Sequence, residues 1–154
     1  MTIEFRKPVI EDKALVTGYI KKKKTRSCED TFGNLLLWAR FYNIRIAEVE
    51  GMLVSATMGE KLSFHYPYGG GNAKKCIEAL MEYVKAQGQE FRMHCVTPEE
   101  FEELESLFPG QFEIEYHRDI ADYVYEAEKL RTLSGKKYHG KKNHVNKFKK
   151  TYEN

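Results

Sequence analysis

Apolar residues recur at three- and four-residue spacing in some stretches and at every second position in others, so the chain reads as interleaved helices and strands. The strongest helical stretch is 73–86, where Cys76, Ile77, Leu80, Met81 and Val84 share one face. Asn72 is placed to cap its start, and Gly88 ends it. A second signature follows: Thr97 as cap, Pro98 at the first helical position and Glu100 three residues on, with Phe101, Leu104 and Phe108 facing inward. Helices are also predicted over 11–21 (Ala14, Leu15, Gly18, Tyr19) and 31–41 (Leu35, Leu36, Trp38, Ala39, Phe41). Strands are predicted at 2–5, 44–49 and 52–58, the last two joined by a Glu50-Gly51 turn. Leu62, Phe64 and Tyr66 alternate in another strand, which Pro67 stops. Further strands are predicted at 91–96, 112–116 and 122–125, followed by a helix at 126–133 and a basic helix from about His139 to Thr151.

This order is strand, two helices, three strands, helix, strand, helix and two strands. It fits an α+β fold with a central, mixed but mostly antiparallel sheet flanked by helices. A chain of 154 residues, 42% hydrophobic, can bury one sizeable core. No internal repeat or low-complexity spacer interrupts it.

Charge divides the chain. From Lys129 to Asn154 there are nine Lys or Arg and one acid, Glu153, whereas the first 128 residues hold 16 basic and 22 acidic side chains. The expected organisation is a folded domain over 1–128 and a basic connector and helix over 129–154. Such a positive field attracts phosphates; a solvated linker between domains is the alternative.

Charged residues interrupt the apolar residues of the N terminus, and no apolar run is long enough to cross a bilayer, so no stable membrane insertion is expected. Cys28, Cys76 and Cys95 are odd in number and well separated, which suits buried or half-buried reduced thiols in the cytoplasm. No His-Glu-x-x-His or cysteine cluster offers a metal site, and His139 and His144, five apart, do not share a helical face.

The element order resembles the GCN5-related N-acetyltransferase fold, in which the loop after the fourth strand holds the pyrophosphate of an acyl-CoA. Here that loop is Gly69, Gly70, Gly71 and Asn72. Glycines let a backbone approach an anion, and a helix start presents unpaired amides. The family loop carries a Gln or Arg and spaced glycines, which this one lacks, so a plain turn into a capped helix is the alternative.

A second resemblance covers most of the chain. Phe64-His65-Tyr66-Pro67-Tyr68-Gly69, Arg118-Asp119-Ile120-Ala121-Asp122-Tyr123-Val124-Tyr125, and the segments 133–139 and 141–148 are similar to a bacterial family of uncharacterised proteins. That family resembles the C-terminal region of phosphatidylglycerol lysyltransferases and, more distantly, the Fem aminoacyltransferases. The resemblance implies a tandem arrangement in which the basic segment leads into a second acetyltransferase-like domain, so this chain would be the first domain plus the crossing connector. It also implies aminoacyl-tRNA as donor and an anionic lipid or other acceptor, with no required cofactor and a location peripheral to the membrane.

Aminoacyl transfer needs the RNA held, the acceptor oriented and charge on the ester carbonyl stabilised. Lys136, Lys137, Lys141 and Lys142 are candidates to attract RNA or lipid phosphates, Asn143 and Asn146 to orient phosphate oxygens, and Tyr138 to stack or pack. Lys147, Lys149 and Lys150 extend the same charge. Catalytic residues are not identifiable, although His65 beside the glycine loop is the histidine best placed for chemistry. Asp119 and Asp122 read as partners of Arg118 or Tyr123. An acyl-CoA-dependent N-acyltransferase and a noncatalytic RNA- or anionic-surface-binding module remain alternatives.

Overall fold

The computed structural model describes residues 3–23, 27–121 and 123–152. It forms two compact units, Met1–Glu115 and Tyr116–Asn154. The division falls before the charge boundary at 128, so the basic segment shares its unit with the acids of 119–128.

The first unit is built on a three-stranded antiparallel sheet of β1 (Ile44–Val49), β2 (Met52–Met58) and β3 (Leu62–Phe64), with β2 central. Val49 pairs with Met52, leaving a two-residue turn. Its residues Glu50 and Gly51 have φ of 50° and 74°, the left-handed pair that matches the twist of the flanking strands. Beyond β3 the chain returns to β2: Tyr68 and Leu53 exchange backbone hydrogen bonds of 2.8 and 2.9 Å.

Strand alternation divides the core. Ala47, Val49, Val54 and Ala56 pack with Phe64 against Cys76, Leu80 and Val84 of α3 (Ala73–Lys85). The intervening Ile46 and Leu53 pack instead with Val16 and Ile20 of α1 (Lys13–Ile20), Leu35 of α2 (Phe32–Trp38) and Tyr68. A third cluster of Tyr66, Ile77, Leu104 and Phe108 seats α4 (Pro98–Leu107). The fold is therefore α+β, as the pattern predicts.

Both helix signatures hold. The Asn72 side chain accepts from the Lys75 amide at 2.9 Å. Thr97 and Glu100 exchange side-chain and backbone bonds of 2.8 and 3.3 Å at the start of α4.

Four expected strands are absent among the described residues. Phe5 makes no strand pairing, and its neighbour Arg6 makes one antiparallel bridge to Ile46; Thr2 lies outside the described residues. Residues 91–94 run beside β3, where the Phe64 amide donates to the Arg92 carbonyl at 3.1 Å and the His94 amide donates to the Phe64 carbonyl at 2.9 Å. That contact amounts to a single parallel bridge, because Cys95 turns into the left-handed region at φ 53°. At 112–116 the alternation finds no partner strand, and Ile114 and Tyr116 are exposed. Tyr123 and Val124 are also exposed and unpaired as a strand, while Asp122 is outside the described residues. Helix α2 stops at Trp38, short of the expected 41, where the amides of Phe41 and Tyr42 fold back onto the Trp38 carbonyl.

The second unit has a 3-10 turn at Arg118–Ile120, α5 (Ala127–Thr132), a 3-10 turn at Lys136–Tyr138 and α6 (His139–Tyr152). Leu133, at φ 48°, ends α5 in the left-handed region. No helix among the described residues is long and apolar enough to cross a membrane.

Candidate functional site

The residues expected to bind substrate divide by position. In α6, Lys141, Val145, Phe148 and Tyr152 follow one stripe at helical spacing, and the last three are exposed. Lys142, Asn146 and Lys149 follow an adjacent stripe. Tyr138 is buried and packs with Tyr125, ring centroids 6.5 Å apart, while the Lys141 ammonium sits 5.1 Å over the Tyr125 ring. Tyr138 is therefore a packing residue that supports the lysine-bearing helix. The 3-10 turn brings Lys136 beside Lys142, and both line a surface depression with Leu133, Ser134, Gly135 and His139. Lys137, Asn143 and Asn146 lie outside that depression.

Local pairing leaves the α6 charge unopposed. In α5, Lys129 pairs with Glu126 at 2.8 Å and Arg131 with Glu128 at 2.6 Å. The lysines from Lys136 to Lys150 make no ion pair among the described residues. These lysines are exposed to solvent, where they can exchange counterions for phosphates.

Packing explains the glycine loop in part. A Cβ on Gly69, which has φ +120°, would lie 2.7 Å from Cδ1 of Tyr19. One on Gly71 would overlap the Glu50-Gly51 turn, and the Asn72 amide donates to the Glu50 carbonyl at 3.1 Å. Gly70 faces open space.

The sequence reading missed a half-buried polar network in the first unit. Ser63 and His65 project from the side of β3 opposite Leu62 and Phe64. His65 Nδ1 is 3.0 Å from the Tyr68 hydroxyl, and His94 Nδ1 is 2.6 Å from Ser63 Oγ. The two imidazoles meet edge to face with centroids 4.4 Å apart. Burial pushes His65 down to about 4; it does the same for His94, to about 4, helped by the neighbouring His65. Both rings are neutral at neutral pH. Burial and then the charge of Asp30 raise the Tyr68 hydroxyl well above its usual range.

Lys23 completes this network. Its ammonium lies 3.0 Å from Asp30 Oδ2, 2.6 Å from Glu100 Oε1 and 5.1 Å over the Tyr68 ring. No run of spaced residues announces the arrangement, since its members stand at 23, 30, 63, 65, 68, 94 and 100. Among the described residues no group of three His, Cys, Asp or Glu could hold a metal. Cys76 is buried, its thiol pushed up to about 12 by burial, whereas Cys28 and Cys95 are exposed, contrary to expectation.

A family model described as phosphatidylglycerol lysyltransferase, C-terminal, matches residues 21–153. A crystal structure of a conserved protein of unknown function from Bacteroides thetaiotaomicron VPI-5482 is 32% identical, with a TM-score of 0.83. The match covers 99% of this chain and 52% of that one, so the chain spans about half the length of that relative. No curated protein matches. Because the family match extends across both units, the chain belongs to the phosphatidylglycerol lysyltransferase C-terminal family.

Proposed function

We propose that the chain is part of an aminoacyltransferase that moves an aminoacyl group from aminoacyl-tRNA to an anionic lipid. The observation that carries this reading is the family match across residues 21–153, which includes the depression and all of α6. Unopposed lysines on α6 suit both polyanions: RNA phosphates bind by counterion release, and anionic headgroups attract the same cations. In the reaction the acceptor hydroxyl attacks the aminoacyl carbonyl. The new lipid ester bond forms, the bond to the terminal ribose breaks, and the proton passes to the released ribose hydroxyl.

In this reading Lys136 and Lys142 hold phosphate at the depression, Lys137 and Lys141 add field, and Asn143 and Asn146 orient phosphate oxygens. An acetyltransferase-like fold for the first unit and a kinship to the Fem aminoacyltransferases are finer parts of the same proposal. So are a second acetyltransferase-like domain completing the cleft, a reading supported by the greater length of the Bacteroides relative, and a cytoplasmic location peripheral to the membrane. Acyl-CoA binding at Gly69–Asn72 is disfavoured by the packing of Gly69 and Gly71, which accounts for those glycines without a ligand.

The test supplies the protein with tRNA carrying labelled lysine and with phosphatidylglycerol vesicles, then follows label in the organic extract. Alkali-labile label in the lipid supports the reading. Label taken from acetyl-CoA instead, or no transfer from either donor when the second domain is also supplied, overturns it.

A further inference from the structure

Where α2 gives way to β1, the chain turns nearly every side chain outward. Leu37, Trp38, Arg40, Phe41 and Tyr42 are exposed, and only Ala39 among them is buried. Leu37 is 71% exposed and Phe41 75%. The rings form one cluster, with the Trp38 centroid 5.7 Å from that of Phe41 and 5.6 Å from that of Tyr42. An apolar cluster that the fold leaves in water marks a surface that meets a partner.

The turn that carries the rings is fixed. The amides of Phe41 and Tyr42 both donate to the Trp38 carbonyl at 3.0 Å, and the Ile44 amide donates to the Ala39 carbonyl at 3.1 Å. Asn43 ties the turn to β2: its side chain donates to the Met58 carbonyl, and its own carbonyl accepts the Met58 amide at 3.1 Å. The amides of Phe41, Tyr42 and Ile44 are therefore already paired, as backbone must be where it leaves water for lipid.

Side-chain chemistry says which partner fits. Leu37 and Phe41, the most exposed of the four apolar residues, carry no polar side-chain atom. Trp38 and Tyr42 join an apolar ring to one polar group, the combination that settles at the depth of lipid headgroups. Arg40 stands among them and Arg45 follows, while no acid occurs from Thr31 to Ala47, so the segment complements anionic phosphates. We propose that the turn from α2 into β1 is an interfacial anchor for an anionic phospholipid bilayer. Leu37 and Phe41 enter the acyl boundary, Trp38 and Tyr42 lie at headgroup depth, and Arg40 meets a lipid phosphate. The anchor lies in the first unit, apart in sequence from the α6 lysines. It stands whether or not the chain transfers an aminoacyl group.

Trp38 is the single tryptophan of the chain, so its fluorescence reports on the anchor alone. The wild-type protein is mixed with vesicles of equal phosphatidylglycerol and phosphatidylcholine, and with vesicles of phosphatidylcholine only. Sedimentation with the anionic vesicles, a blue shift of Trp38 emission, and quenching by acyl-brominated phosphatidylcholine in those vesicles are expected. Leu37→Ser combined with Phe41→Ser should weaken vesicle binding roughly tenfold or more. Arg40→Ala should reduce the preference for the anionic vesicles. Sedimentation with unshifted, unquenched Trp38 emission would place the contact on lysines elsewhere and overturn the proposal. Absence of sedimentation overturns it too, as does unchanged binding by a folded double variant. A blue shift that grows with protein concentration without vesicles overturns it in favour of contact between copies of the chain. Should the double variant not fold, quenching of the wild type by the brominated lipid decides.

Discussion

Gly71 lies against the backbone of Gly51: a Cβ at position 71 would stand 2.6 Å from the Gly51 carbonyl carbon and 2.7 Å from its oxygen. The loop that enters α3 is thereby locked onto the β1–β2 turn. Gly71→Ala should destabilise the first unit by about 2 kcal/mol, because the obstacle is backbone that cannot move aside cheaply. Gly70→Ala, facing open space, should change stability by less than about 0.5 kcal/mol. Urea unfolding of the two variants checks the pair. Equal, small effects would remove packing as the reason for Gly71.

The His65–His94 pair should make stability pH-dependent. Both imidazoles are held near 4 in the folded protein, below the value of about 6.5 in an unfolded chain. Between those values the unfolded chain binds more protons, so stability should fall as pH drops from about 6.5 towards 4. Each ring should contribute on the order of 1–2 kcal/mol of that loss. Thermal unfolding across this range should show a flatter slope for His94→Gln than for the wild type. An unchanged slope would mean that His94 does not enter the folded protein neutral.

Thr97→Ala should cost about 1 kcal/mol by removing the acceptor for the Glu100 amide. Thr97→Ser keeps that oxygen and should retain most of the stability. Unfolding free energies for the two variants test the cap, and equal losses would assign the effect to the lost methyl group instead.

Local rules made some of this structure legible in advance. The Glu50-Gly51 turn, the Asn72 cap and the Thr97–Glu100 capping box each place their chemistry within four residues, and each forms as its sequence predicts. Strand pairing is not local. The alternation at Phe112, Ile114 and Tyr116 describes a suitable strand but cannot supply a partner. At Cys95 a single left-handed residue ends an extended run that its neighbours favour. The Lys23–Glu100 ion pair was invisible for the same reason, since 77 positions separate the two residues. Glu100 also has a sufficient local explanation as a capping acid, which hides its second partner. The α6 lysines were legible because their charge is a property of the segment, but the placement of Lys136 and Lys142 around the depression depends on the turn at Gly135, with φ +93°.

Binding of lysyl-tRNA and uncharged tRNA at about 50 and about 200 mM salt most directly tests the assignment of α6 as a substrate surface. The comparison uses the wild-type protein and a Lys136→Ala, Lys142→Ala, Lys149→Ala variant. Lysyl-tRNA should bind more tightly than uncharged tRNA, and the variant should bind both more weakly, with a salt slope shallower by roughly two. Equal affinity for the two RNAs, together with a slope that the substitutions leave unchanged, would contradict the account.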